Sequence, residues 1–166
     1  ARQIPNGLSP ELVQHALEQY NLPASAIVIE ITEGLLMANV ALAQSWIKSM
    51  RELGVRIYLD DFGTGYSSLS YLKRFPMDTV KIDQSFIRDI CLDKSDRALV
   101  EAIITMASSL GLNVVAEGVE DEQQLAILNE MGCACVQGYY FSRPVKGPEF
   151  AKTMLRINEE LSTQAK

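Results

Sequence analysis

Several things are scarce in this 166-residue chain, and each absence removes a class of function. No apolar run approaches the ~18 residues of a membrane span, and Ala1-Arg2-Gln3-Ile4 has neither the charged nor the apolar region of a signal peptide. A cytoplasmic protein without membrane contact is expected. Basic residues are outnumbered, with Lys+Arg 15 against Asp+Glu 21 and a sequence pI near 4.8. A duplex-binding surface needs a dense Lys/Arg stripe to displace counterions, so polymeric nucleic acid is excluded as a partner. The three cysteines, Cys91, Cys133 and Cys135, are odd in number, and the last two stand too close for a zinc knuckle. Reduced thiols are expected, and redox chemistry is set aside. The single histidine, His15, flanks the apolar stripe of the first helix and receives no role. There is neither a Gly-Lys-Ser/Thr ending nor a GxGxxG, which excludes a nucleotide P-loop. The first residue is Ala and not Met, as expected for a piece of a longer product.

What is present is ordinary globular composition, 48% hydrophobic and 22% charged, enough for one domain with its own core. Helix and strand patterns alternate. Ser9-Pro10-Glu11 opens a helix running to about Asn21, and Ile27 to Thr32 reads as a strand buried on both faces. A helix from Asn39 to Leu53 leads to a strand over Val55 to Leu59, and a Gly-rich stretch from Phe62 to Ser68 leads to a short helix around Leu69 to Arg74. A strand at Thr79 to Ile82, a helix from Ser95 to Leu110 and a strand from Leu112 to Ala116 follow. Asp121 to Met131, Cys133 to Val136 and Pro148 to Leu161 complete the series as helix, strand and helix. Three segments overlay: Leu53-Gly54-Val55 to Asp60, Leu110-Gly111-Leu112 to Glu117, and Met131-Gly132-Cys133 to Gln137. Repeated αβ units give five parallel strands, as an open doubly wound sheet or as the later part of a (β/α) barrel.

In either architecture the site lies off the carboxyl ends of the strands. Those ends deliver Glu30, the pair Asp60 and Asp61, Lys81 with Asp83, Glu117 with Glu120, and Gln137. Each has a plainer reading. Asp60-Asp61 can initiate a turn, Glu30 can sit exposed at a sheet edge, Lys81 can bridge to Asp83, and Gln137 can satisfy backbone groups. Together they form a carboxylate cluster that needs cations, and oxygen ligands without His or Cys suit magnesium or manganese. Gly63-Thr64-Gly65 reads as a mobile site loop.

The strings Glu30-Ile31-Thr32-Glu33, Asp60-Asp61-Phe62-Gly63-Thr64-Gly65-Tyr66-Ser67-Ser68-Leu69, Lys81-Ile82-Asp83, Ala116-Glu117-Gly118-Val119-Glu120 and Gln137-Gly138-Tyr139 together resemble the EAL domain family. The match runs from Ala1 to about Phe150. The resemblance implies a modified TIM barrel that hydrolyses cyclic di-GMP to linear pGpG with Mg2+ or Mn2+. It implies that Glu30, Asp60 and Glu117 ligate metal, that Asp61 holds a second ion, and that Lys81 orients or helps deprotonate the attacking water. Asp83 and Glu120 would stand behind the ligands or join them, Gln137 would donate to a water or ligand, and Glu33 would anchor the loop Phe62 to Ser68. The Glu-Ala-Leu triplet and the Asn of the family's Asn-x-Ser stretch are expected upstream of Ala1, and Ala134 stands where the family usually carries an acidic residue. The chain, residues 1 to 166, is thus expected to be one EAL-type domain lacking its first strands, weak or inactive alone and prone to self-association as a homodimer, with room upstream for sensory or GGDEF-type domains. The alternatives are a degenerate EAL module that binds cyclic di-GMP or a protein partner without hydrolysis, and another metal-dependent barrel enzyme such as an enolase-type lyase.

Overall fold

A computed structural model describes residues 7–65 and 72–164. Helix α1 (Pro10–Gln19) and a 3-10 turn (Ala24–Ala26) lead to β1 (Val28–Thr32). Helices α2 (Glu33–Ala38) and α3 (Val40–Glu52) precede β2 (Arg56–Phe62). Then come β3 (Thr79–Ile82), α4 (Gln84–Arg88), α5 (Lys94–Ser109) and β4 (Asn113–Glu117). The described chain ends with α6 (Glu122–Glu130), β5 (Cys135–Gln137) and α7 (Gly147–Gln164).

The five strands lie parallel in the order β1-β2-β3-β4-β5, each beside its sequence neighbour. A doubly wound sheet reverses its strand order at a switch point. No reversal occurs here, so the sheet winds in one direction as a barrel wall does, and the open doubly wound alternative is discarded.

The overlay of three helix-to-strand segments has a geometric basis. Gly54, Gly111 and Gly132 have φ of +92°, +71° and +76°. At each, the amide of the following residue reaches back to the helix, Val55 to the Met50 carbonyl, Leu112 to Ala107 and Cys133 to Leu128. This Schellman closure satisfies carbonyls that a helix end leaves bare and aims the chain into the next strand. The core sits between sheet and helices, with Ile57, Val80, Ile82, Val100, Ala107 and Leu128 buried in it.

Three expectations need correction. Strand β1 is not buried on both faces: only Ile31 is fully buried, because β1 is an edge strand. It is β3 that is buried throughout, at the centre of the sheet. Two short helices, α2 and α4, were not foreseen, since five or six residues carry too little periodicity to register. Of the short helix expected around Leu69 to Arg74, residues 69–71 fall outside the described residues, and only Leu72 of the rest is helical. Among the described residues no helix is long and apolar enough to cross a membrane.

Candidate active site

Side chains alternate across a strand, so register alone decides which of them meet. Thr32 lies beside Asp60, Tyr58 beside Thr79, Lys81 beside Val115, and Glu117 beside Gln137. That parity puts Glu30, Asp60, Lys81, Glu117 and Gln137 on one face. Glu30 is in the middle of β1 and not at its end, yet its carboxylate still reaches the centre.

At the centre is Lys81, 4% exposed on the buried strand β3. Its ammonium Nζ lies 2.8 Å from Glu30 Oε2, 2.9 Å from Asp60 Oδ1 and 2.8 Å from Glu117 Oε1. The plainer alternative, a bridge from Lys81 to Asp83, is not formed. Asp83 instead caps α4, accepting from the Ser85 amide and hydroxyl. Burial opposes the charge on Lys81, but hydrogen bonds to Glu117, Glu30 and Asp60 outweigh it and hold the ammonium above the ordinary lysine range. Burial pushes the Glu117 carboxyl up; Lys81 pulls it back in part, and the charges of Asp60 and Glu30 add to the rise.

Asp61 departs from its neighbour. The β2–β3 register breaks between Leu59 and Phe62, and Asp61 takes φ +55°. A bulge of this kind redirects a side chain, so two successive aspartates serve different places. Asp61, Asp83, Gln84, Glu117, Gly118, Glu120, Gln137, Gly138 and Tyr139 line a recess of about 280 Å³. A cleft of about 380 Å³ lies on the other side, lined by Glu30, Tyr58, Lys81, Cys135, Gln137, Phe141 and others. Glu117 belongs to the Lys81 cluster and to the recess, and Gln137 opens onto both cavities.

Beyond Asp61 the chain turns tightly: Thr64 donates from its hydroxyl and its amide to the Asp61 carbonyl at 2.9 and 3.3 Å. Gly63 packs on the Phe86 ring, and a Cβ on Gly65 would lie 2.8 Å from Glu33 Oε2. Glu33 therefore stands against the start of the loop, whose residues 66–68 lie outside the described ones.

Oxygen donors from Glu30, Asp60 and Glu117, with no histidine beside them, have the chemistry of a hard divalent cation. Against one ammonium they carry two negative charges in excess. Among the described residues no three such side chains are already gathered around a common metal position. The carboxylates share a face and are turned onto Lys81.

Sequence reasoning missed Tyr58, Phe141 and Ser142 in the cleft wall, Gln84 in the recess and the buried Gln124. For Gln124 a signal existed, since Asp121-x-x-Gln124 is a capping box.

A family profile described as EAL domain matches residues 1–144. The chain belongs to the EAL domain family. It is 53% identical over 133 residues to the cyclic di-GMP phosphodiesterase NbdA of Pseudomonas aeruginosa, a match covering 80% of this chain and 17% of NbdA. The crystal structure of the EAL domain of Mycobacterium smegmatis DcpA superposes with a TM-score of 0.85 at 36% identity, covering 92% of this chain and 68% of that one. Klebsiella pneumoniae BlrP1, solved as a manganese and cyclic di-GMP complex, aligns with a TM-score of 0.76 at 34% identity over 81% of this chain and 34% of its own. The EAL-type chain spans about a fifth of the length of the curated relatives it matches first.

Proposed function

We propose that this chain supplies most of the catalytic face of a phosphodiesterase that hydrolyses cyclic di-GMP to linear pGpG. The observation that carries the reading is the convergence of Glu30, Asp60 and Glu117 on the buried Lys81, with Asp61 turned into the adjoining acidic recess. The relatives NbdA, by its name, and BlrP1, by its complex, support the substrate and the use of a divalent cation.

Glu30, Asp60 and Glu117 would hold one cation and Asp61 a second, magnesium or manganese. Such ions polarise the phosphoryl group and acidify a bound water. The chain's own residues do the rest. Lys81, held as an ammonium by the three carboxylates, would donate a hydrogen bond that orients the attacking oxygen. The carboxylates fix Lys81 along three directions. Asp83 and Glu120 face the recess beside Asp61, and Gln137 presents an amide between recess and cleft. Hydrolysis forms one P–O bond from water and breaks another, and the released sugar oxygen takes up the proton that the water gives up.

We further propose that residues 1–166 form the later part of a longer barrel. Strands β1 and β5 bound the described sheet, and α7 has no buried side chain among its described residues while Phe150, Met154 and Leu155 are exposed. Such edges and apolar faces are covered in a closed barrel or by a second copy, so self-association is expected. Sensory or GGDEF-type domains upstream fit the chain's small share of its relatives. The three free thiols suit a reducing cytoplasm.

The test is hydrolysis of cyclic di-GMP by the full natural chain with manganese or magnesium. Formation of pGpG, abolished by chelation, is expected. Tight nucleotide binding with no product would instead identify a binding module, and absence of both would defeat the reading.

A further inference from the structure

Gln124 is 5% exposed, a buried polar side chain in a protein whose other interior groups are mostly apolar. Every hydrogen-bonding position of its amide is used. Oε1 accepts from the Glu120 amide at 2.7 Å and the Asp121 amide at 3.3 Å. Nε2 donates to the carbonyls of Ile87 at 3.2 Å and Arg88 at 3.4 Å. Its own amide donates to Asp121 Oδ1 at 2.9 Å.

Half of this needs no special account. A Gln three residues after an Asp N-cap reaches back to the cap as a capping box, and that serves α6 alone. The donations to Ile87 and Arg88 do not serve α6. They satisfy carbonyls at the end of α4, 36 to 37 residues away in sequence. Helix α4 is capped by Asp83, two residues beyond Lys81, and the loop Gly118–Asp121 begins next to Glu117. One amide therefore ties together the two segments that carry Asp83 and Glu120.

The surrounding backbone leaves little slack elsewhere. Gly118 has φ +75°, and a Cβ there would lie 2.5 Å from the Cβ of Gln84. Val119 donates to the Gln137 carbonyl and accepts from the Tyr140 amide, so the loop after β5 is fastened to the same segment. A Cβ on Gly138 would fall on the backbone of Val119. Three loops thus meet behind the recess, and Gln124 is the side chain that joins two of them.

We infer that Gln124 is a positioning residue, whose amide sets the spacing between Asp83 and the Glu117–Glu120 segment and thereby the geometry in which the acidic recess takes a divalent cation. This rests on the reading of the strand-end carboxylates as cation ligands. It differs from a purely structural role in what it moves. Groups that orient metal ligands from behind are typically worth about 10 to 100-fold in metal affinity or activity.

The experiment compares Gln124→Met with Asp121→Ala in the full natural chain. Gln124→Met keeps the volume and loses all four side-chain bonds, whereas Asp121→Ala removes the helix cap and leaves the amide bonds of Gln124 in place. Manganese affinity is read by calorimetry without nucleotide, thermal midpoint by melting, and kcat and KM well below the lower midpoint. Both variants are expected to melt a few degrees lower. Manganese affinity should fall about tenfold in Gln124→Met and stay within about twofold of the parent in Asp121→Ala, with the loss of turnover in kcat and not KM. Equal manganese affinity in the two variants overturns the proposal. If Gln124→Met does not fold, Gln124→Asn, too short to span both loops, takes its place with the same expectation. A parent that binds manganese but never yields pGpG defeats the proposed reaction and leaves the calorimetric comparison decisive; a parent that binds no manganese overturns both.

Discussion

The Lys81 cluster and the adjoining recess share Glu117 but are built by different means. Glu30, Asp60, Lys81 and Glu117 ride on four neighbouring strands, and sheet register brings them together with contacts of 2.8 to 2.9 Å. Asp61, Asp83 and Glu120 are carried where strands give way to loops, and nothing comparable holds their carboxylates against one another. Their positions depend on a bulge at Asp61, a cap at Asp83 and the clamp from Gln124. The contrast teaches that the strand-borne half is set by sheet register, while the loop-borne half is set by backbone packing and the clamp from Gln124. Changes in the first should abolish chemistry, and changes in the second should grade it.

The largest effect is expected at Asp60. Asp60→Asn removes one charge from the proposed cation site at nearly constant volume, and turnover should fall by about two orders of magnitude or more. Circular dichroism and the thermal midpoint should stay close to the parent's. A folded Asp60→Asn protein hydrolysing cyclic di-GMP at the parent rate would break the division between the two halves.

Lys81→Met comes next, and it tests the strand-borne half without nucleotide. Three carboxylates then face one another with no ammonium between them. Removing one partner of a fully buried pair costs about 3 to 5 kcal/mol, and because Glu30 and Asp60 are partly exposed about 2 kcal/mol is expected here. The raised pKa of Lys81 gives the sign of the pH dependence. The stabilisation is complete at neutral pH and is lost only as pH rises past the ordinary lysine range. Manganese should therefore raise the midpoint of Lys81→Met more than that of the parent, since the ion restores the missing positive charge. Equal shifts in both proteins would show that cation and lysine do not answer to the same carboxylates. Turnover should drop with nucleotide affinity little changed.

These two halves were unequally legible in the sequence. Glu30, Asp60, Lys81 and Glu117 could be read because a period of two and a glycine-closed helix place them by local rules. Where tertiary context decides, the reading failed. β1 looks as apolar as a central strand, and only its place at the edge exposes it. Nothing in a single chain fixes strand order, so doubly wound and barrel arrangements could not be separated. The plainer alternative of a Lys81–Asp83 bridge fails because Asp83-x-Ser85 is a helix start that captures the carboxylate first. Gln124 is only half visible to pattern: its capping box with Asp121 is local, but its partners at the end of α4 lie 36 and 37 residues away.

Asp61 should give a smaller and two-sided effect. At φ +55° it holds a conformation that favours glycine and that Asn and Asp tolerate better than other residues. Asp61→Gly relieves that strain and should raise stability by roughly 0.5 to 1 kcal/mol while turnover falls. Asp61→Asn keeps the backbone preference and removes the charge, so stability should hold while turnover falls to a similar degree. Urea melts beside initial rates separate the two. A loss of stability in Asp61→Gly would mean that the carboxylate, and not the bulge, holds the turn.

The smallest effect concerns the cysteines, which report on the strand-borne cleft and not on the recess. Cys135 is exposed and lines the cleft with Glu30 and Lys81, whereas Cys133, two residues earlier, is buried. Burial pushes the Cys133 thiol up, partly offset by backbone hydrogen bonds at Cys135 and Ala116. The thiolate is the reactive form, so a raised pKa leaves less of it at a given pH and slows alkylation further. At pH 8, iodoacetamide should modify Cys135 well before Cys133, and the lag should shrink as pH rises. Cyclic di-GMP with manganese should slow modification of Cys135 and leave the rate at Cys133 unchanged, read by mass spectrometry of the peptides. Equal protection of both thiols would point to a general tightening of the fold; protection of neither would place the bound nucleotide over the loop-borne recess and away from the strand-borne cleft.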